Sequence, residues 1–565
     1  MTHRPTISRA ASSSLAACLA GAALAIAAGC SASDTGSMST ATADTTVGAD
    51  SNLAQDVAVP DVKNQAWVYA TDPVTDDKPA QVTLPAPTDP SGFLTGEFVQ
   101  VSNCLAEEGG AEMKQGNFTF GHLCHEVQVA APNANGDGSY LDIVPPEDTS
   151  DMNDPFAEVQ MYYHVNQIHD FFANGFDLHD LDFPLYALVN VTYASVMSGG
   201  QFEGFPNAAF MPKEAFAQFG LPERDSGAIV FGQYQSTDFC YDASVIYHEY
   251  THAMVGTTRL VGATLDVYGM DNLPAAMNEG FADYFSCSKR NSPIIGTYAL
   301  TFGGDWLVRD LTQARKCPDD LTTEVHADGK IIGSAMWELR GVLGQELADA
   351  IILKALQQFS QQTNMDAAAK LIVAEAKKVD AETGTATQTV LKNHGMIGCV
   401  RAKEWTAFSA EASPDKIGYS VTSPEAMGGG AASAFPSGLP GYVQFWIEPP
   451  AAGKVALLGV SAQGGGGMFG GGEVMLNFAV RKGKPVQLNM LTGGAPLSDA
   501  ALSPKLAAKG PYSQQFALTG NCLAAGSKTY VMMLNNSKNE AKIQTMDVQW
   551  LDAVPAGITA VDCAK

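Results

Sequence analysis

Positive charge is scarce in this chain. Lys and Arg number 33 against 60 Asp and Glu, a net charge of −27. No Lys/Arg cluster is visible, and without a basic patch nucleic acid is not expected as a partner. No CxxC occurs, so a cysteine-bound zinc ribbon is not supported. No DxDxDG loop occurs either. Calcium, which the plentiful Asp leaves open as a second ion, therefore lacks its usual sequence signature. No internal repeat is present.

What the chain does have is length and apolar content. Its 565 residues suggest two to four folding units, and 46% hydrophobic with 9% aromatic residues allow large cores. The N-terminus reads as an export signal: Arg4 and Arg9, then a small apolar stretch from Ala10 to Gly29. No stop signal follows, and the run is near the minimum for a bilayer span. Ala27-Ala28-Gly29-Cys30 resembles a lipoprotein cleavage site, which would leave Cys30 lipidated. We expect an exported bacterial protein, either lipid-anchored to the outer membrane or cell surface or secreted, with membrane contact through the lipid alone. Eight cysteines remain after Cys18 and Cys30, an even number that suggests disulfides. Proximity favours Cys104–Cys124, Cys287–Cys317 and Cys522–Cys563, leaving Cys240–Cys399, one assignment among many.

Residues 1–29 are a signal peptide, and 30–58, rich in Ser, Thr, Ala, Asp and Gly, a flexible tether. Residues 59–150 are β-rich, with strand-like runs AWVYAT, AQVTLP, GEFVQVSN, HEVQVAA and YLDIVP. Phe156 to Phe176 has helical spacing with an aromatic face. Residues 151–332 are the region of the site, and 333–405 are strongly helical. Residues 413–565 alternate like half-buried strands and suggest a separate β-sandwich, an accessory domain open to substrate or to a surface partner. GGGGMFGGG, Gly464 to Gly472, reads as a flexible hairpin connection.

One stretch, VIYHEYTHAM from Val245 to Met254, carries chemistry. On a helix, residues i and i+4 share a face, so His248 and His252 can turn two imidazoles on one ion. Glu249 can then lie beside a metal-bound water. The competing reading is an ordinary helix with two histidines. A third carboxylate weighs against it: Glu279 lies downstream in AAMNEGFADYFSC, with Asp283 one turn further on the same face. Glu279 fits a metal ligand, and Asp283 the acceptor that fixes the tautomer of a ligating imidazole. Phe281, Tyr284 and Phe285 imply that this helix is largely buried, where carboxylates need partners.

These residues together resemble the thermolysin-like zinc metallopeptidases, and HEYTH followed by NEGFADYF is most similar to their fungalysin (M36) branch. The resemblance implies a two-lobed α+β fold, a β-rich N-terminal lobe and a helical C-terminal lobe with zinc in the cleft, to which the C-terminal β-sandwich is added. It implies one zinc bound by His248, His252 and Glu279, and Glu249 as general base. VHADGKIIGSAMW resembles the segment whose histidine, here His326, stabilises the oxyanion; Tyr268 is the nearest tyrosine for the same task. NAAF resembles the edge-strand segment that holds substrate, here through Asn207 and Ala208. VRDLT resembles the segment whose arginine, here Arg309, contacts a substrate carbonyl. The expected activity is that of a zinc endopeptidase acting on peptide or protein. The alternative is an inactive surface binding protein on the same scaffold.

Overall fold

A computed structural model describes residues 62–563 apart from 116–117, 149–150, 197, 214, 217–223, 257–259, 261, 361–362, 414, 425–434, 436, 466–473, 490–494, 498, 504–505 and 509–511. The signal segment, Cys30, the tether and most of the glycine-rich stretch lie outside the described residues. The chain is mixed helix and sheet.

The first half is organised on a nine-stranded sheet. A short antiparallel pair, β1 (Gln65–Val68) and β2 (Ala80–Thr83), precedes it. Its members are β3 (Val99–Leu105), β4 (Glu112–Gln115), β5 (Phe118–Leu123) and β6 (His125–Val127). After α1 (Phe156–Phe176) come β7 (Leu185–Ser195), β8 (Phe202–Gly204), β9 (Ala208–Met211), β10 (Ala228–Tyr234) and β11 (Thr237–Asp238). The main path is β11-β10-β7-β3-β6, so strands from both sides of residue 150 share one sheet. β7 runs parallel to β3 and to β10 and is buried at every position, which suits its near-continuous apolar sequence. YLDIVP, expected as a strand, is turn and coil instead. Tyr140 N–H donates to Gln65 O, and Ile143 N–H closes a turn on Tyr140 O.

Helix α1 packs its aromatic face into the main core and ends at Asp177, in the left-handed region with φ 57°. The Asp177 N–H closes on Ala173 O, and Leu178 N–H on Phe172 O, so the last carbonyls are satisfied. The site helices follow: α2 (Ala243–Gly256), the hairpin β12 (Thr264–Asp266) and β13 (Gly269–Asp271), then α3 (Leu273–Arg290). A small pair, β14 (Ile294–Ile295) and β15 (Arg309–Asp310), leads to α4 (Val325–Leu343), α5 (Gln345–Leu356), α6 (Met365–Val379) and α7 (Ala381–Asn393).

Beyond residue 400 the chain builds a seven-stranded and a six-stranded sheet. Phe478 of the first stacks on Phe516 of the second, with ring centroids 4.4 Å apart.

Disulfides join Cys104–Cys124, Cys522–Cys563 and Cys317–Cys399. The expected Cys287–Cys317 and Cys240–Cys399 bonds do not form, and Cys240 and Cys287 are free and buried. Proximity in sequence misled here. Helix α3 carries Cys287 into a small core with Ile295 and Leu311. Helices α4 to α7 return the chain to Cys317, whose N–H donates to His394 O.

Candidate active site

Helix α2 is a core helix, buried along nearly its whole length. Asp242 starts it: Oδ1 accepts from Ser244 N–H and Oδ2 from Ala299 N–H. Four-residue spacing then brings His248 Nε2 and His252 Nε2 within 3.0 Å, their rings nearly perpendicular at 88°. Helix α3 lies against α2 and adds Glu279. Its Oε2 stands 3.2 Å from His248 Nε2 and 3.5 Å from His252 Nε2. That oxygen is buried and finds no hydrogen bond of acceptable geometry.

This is close to the spacing an ion requires, with two of the three separations slightly short of it. Ligand atoms about 2.0–2.2 Å from a tetrahedral zinc sit roughly 3.3–3.6 Å from one another. The donor set, two imidazoles and a carboxylate, is that of a zinc site with one position left open. Among the described residues, the side chains of His248, Glu249 and His252 form a group close enough to share an ion, and Glu279 Oε2 lies within the same reach of both imidazoles. Glu249 belongs to that group by distance but has another tie: Oε2 accepts from Phe210 N–H on β9 at 2.7 Å. Glu279 Oε2 has none and is left able to serve as a ligand.

Around the triangle, each histidine is oriented from behind. His248 Nδ1 lies 2.8 Å from Asp283 Oδ1. Arg309 grips the same carboxylate in a fork, Nε to Oδ2 at 2.7 Å and Nη2 to Oδ1 at 2.8 Å. His252 Nδ1 donates to Asn278 Oδ1 at 2.9 Å. The tautomers follow from these partners, leaving both Nε2 atoms facing the triangle. Burial alone would raise the Asp283 pKa; the Arg309 charge and the His248 contact outweigh it and hold the carboxyl well below its usual range. Burial likewise opposes ionisation of Glu279, but His326, His252 and His248 hold it well below an ordinary carboxyl.

His326 enters from the first turn of α4, its Nε2 3.4 Å from Glu279 Oε2. Glycines permit this approach. A Cβ on Gly280 would lie 2.5 Å from Gly329 O, so α3 and α4 touch backbone to backbone beside the site. Glu324 caps α4 through Ala327 N–H and holds His326 Nδ1 at 2.7 Å. Burial lowers the His326 pKa, yet Glu279 and then Glu324 raise it to about 10; solvent at its 44% exposed side chain weakens both effects.

The expected residues are thus gathered unevenly. His248, Glu249, His252, Glu279, Asp283 and His326 meet in one place. Arg309 joins them through Asp283. Asn207 and Ala208 lie at the start of β9, the strand that reaches Glu249 through Phe210. Tyr268 stands on the turn of the β12–β13 hairpin, 38% exposed, its backbone carbonyl accepting from Gln444. Sequence reasoning missed Asn278 and Glu324. The signals were slight: an amide next to Glu279, and an acid two residues before His326 at a helix start.

Residues 112–346 match the fungalysin metallopeptidase (M36) family. The fungalysin match opens on β4 and closes at the start of α5, so it contains every residue of the triangle and its supports. Fungalysins are zinc-dependent hydrolases of peptide or protein substrates and are in general secreted. Comparison with curated proteins returned no match.

Proposed function

We propose that the chain is an exported zinc endopeptidase. The observation that carries this reading is the triangle of His248 Nε2, His252 Nε2 and Glu279 Oε2 close to zinc-ligand spacing, with a carboxylate, Glu249, held beside it. Bound zinc would supply a Lewis acid that polarises the scissile carbonyl and lowers the pKa of a water. Glu249 takes the proton of the attacking water and returns it to the leaving amine nitrogen. The Phe210 N–H occupies Oε2 and leaves Oε1 for that proton. His326, held at Nδ1 by Glu324, donates from Nε2 to the oxygen on which negative charge develops, with Tyr268 assigned as a second donor. Asp283 and Asn278 keep the two imidazoles in the ligating tautomer.

Substrate is placed along β9. This strand pairs with β10 on one edge, and no described strand covers the other. An extended peptide can add there as a further strand, hydrogen-bonded by Asn207 and the Ala208 backbone. Arg309, whose fork to Asp283 leaves Nη1 over, is assigned to a substrate carbonyl. The two lobes are assigned as the sheet with α1 and the helices from α4 onward, with the cleft between them. The two sheets beyond residue 400 are read as a β-sandwich. Calcium gains no support, since no second metal-competent cluster exists among the described residues.

Three disulfides support an oxidising compartment outside the cytoplasm. No helix among the described residues is long and apolar enough to cross a membrane, and anchoring is assigned to a lipid on Cys30. Incorporation of labelled fatty acid that vanishes in Cys30→Ala tests that assignment. The inactive-scaffold alternative would leave binding to the C-terminal sheets, which lie outside the fungalysin match. Glu249→Gln decides between the readings: zinc retained with cutting abolished supports the peptidase, and unchanged cutting removes Glu249 from its role.

A further inference from the structure

Among the described residues, the C-terminal region holds the catalytic region at two helix starts that deliver site residues. The first is the β12–β13 hairpin, which runs straight into α3. Arg401, its side chain 8% exposed, spends its donors there. Nη1 and Nη2 each lie 2.9 Å from an Asp266 carboxylate oxygen. Nη1 is also 3.2 Å from Asp271 Oδ2, and Nη2 donates to Met270 O. Nε donates to Tyr442 O, tying the hairpin to the C-terminal sheets. Gln444 Nε2 donates to Tyr268 O, and Leu488 N–H to Val267 O. Asp271 passes the restraint on, because its Oδ1 accepts from Leu273 N–H, the first residue of α3. Glu279 follows less than two turns later.

The second place is the segment before α4. Thr323 has φ 77°, a left-handed conformation that a β-branched residue adopts only when its surroundings impose it. Three groups impose it. Asp328 Oδ2 accepts from its N–H, Asn272 Nδ2 donates to its carbonyl, and Ser420 N–H of the C-terminal region donates to its Oγ1. Lys403 adds bonds to the carbonyls of Asp319 and Leu321. Glu324, the partner of His326, is the next residue. Asn272 also links the two places, since it stands between Asp271 and α3.

We propose that the C-terminal region braces the zinc site, and that Arg401 is its central positioning residue. Arg401 touches neither substrate nor metal. It fixes where α3 starts, and so where Glu279 stands relative to His248 and His252. Thr323, held from the same side, fixes where α4 starts and so where Glu324 and His326 stand. The catalytic consequence rests on the peptidase reading above; the structural one does not.

The test uses the full mature chain with Arg401→Ala, Arg401→Lys and Asp266→Ala. Asp266→Ala cuts the hairpin side of the clamp and leaves Arg401 paired with Asp271. Three quantities are read: kcat and KM on an unstructured protein substrate, zinc release into a chelator, and local amide exchange over 264–279 and 322–328. The brace predicts for Arg401→Ala a kcat about 10- to 100-fold lower with KM within about twofold. It predicts zinc release about tenfold faster and faster exchange in those two segments ahead of the rest of the chain. Arg401→Lys should recover part of each, since lysine keeps the charge and loses the fork. If Arg401→Ala does not fold, Asp266→Ala carries the test, with smaller changes in the same direction. Folded variants with wild-type kcat, zinc release and exchange would overturn the brace. A wild-type chain that cuts no peptide would overturn the peptidase reading instead, while zinc release and exchange still decide the brace.

Discussion

At the scale of single residues, the site divides its carboxylates by what each one touches. Glu279 Oε2 faces three imidazole nitrogens with no hydrogen-bonding geometry to any, which suits a ligand. Glu249 accepts one backbone N–H and keeps an oxygen for a proton, which suits a base. Glu249→Gln should therefore keep zinc while kcat falls about 10²- to 10⁴-fold, the usual worth of a general base; metal analysis and turnover of the same sample check both halves. Glu324 is assigned to hold His326 rather than to bind anything. Glu324→Gln should lower kcat and leave KM nearly unchanged, because the lost interaction belongs to the developing oxyanion; steady-state kinetics separate the two. Much of this was legible. His248 with His252, and Glu279 with Asp283, declare themselves because helical spacing places each pair on one face. Asn278 and Glu324 did not, since an amide and a helix-capping acid are ordinary residues until the fold sets them against a histidine.

At the scale of elements, the approach of α3 and α4 is set by Gly280 and Gly329. Gly280→Ala should destabilise the protein by about 1–3 kcal/mol through overpacking, seen as a lower melting temperature, and should lower kcat by moving His326 from Glu279. Helix α1 carries a different device. His164 is fully buried, accepts a hydrogen bond from the Tyr247 hydroxyl at Nδ1 and donates from Nε2 to Tyr69 O, so it joins helix α2 to the strand region as a neutral ring. Burial depresses its pKa to about 4, against 6.5 ordinarily, and the Tyr69 carbonyl only partly offsets this. The unfolded chain thus takes up the proton first as pH falls. The stability tied to this ring is complete above about pH 6.5 and lost by about pH 4, up to about 3 kcal/mol. Urea unfolding at pH 7 and pH 4 should show a larger loss in the wild type than in His164→Gln. The bounds of α1 could be read from its aromatic periodicity alone. YLDIVP could not be read correctly, because its apolar residues serve a turn that docks on Gln65 rather than a ladder.

At the scale of the whole molecule, long-range links decide what the sequence could not. Arg401 and Asp266 are 135 residues apart, and no local pattern announces their pairing. The Cys317–Cys399 bond spans 82 residues and encloses helices α4 to α7, whereas nearness in sequence favoured other partners. Replacing both cysteines by serine should cost about 2–4 kcal/mol by freeing the unfolded chain, measurable as a lower denaturation midpoint. The match to fungalysins covers the site and stops before the C-terminal sheets. The central claim, a zinc endopeptidase built on His248, His252 and Glu279, is tested most directly on purified mature protein by zinc content together with casein hydrolysis, with and without a chelator. The account predicts one zinc per chain and cutting that stops on chelation and returns when zinc is added back. Zinc bound at one per chain with no cutting, or cutting indifferent to the chelator, would contradict it.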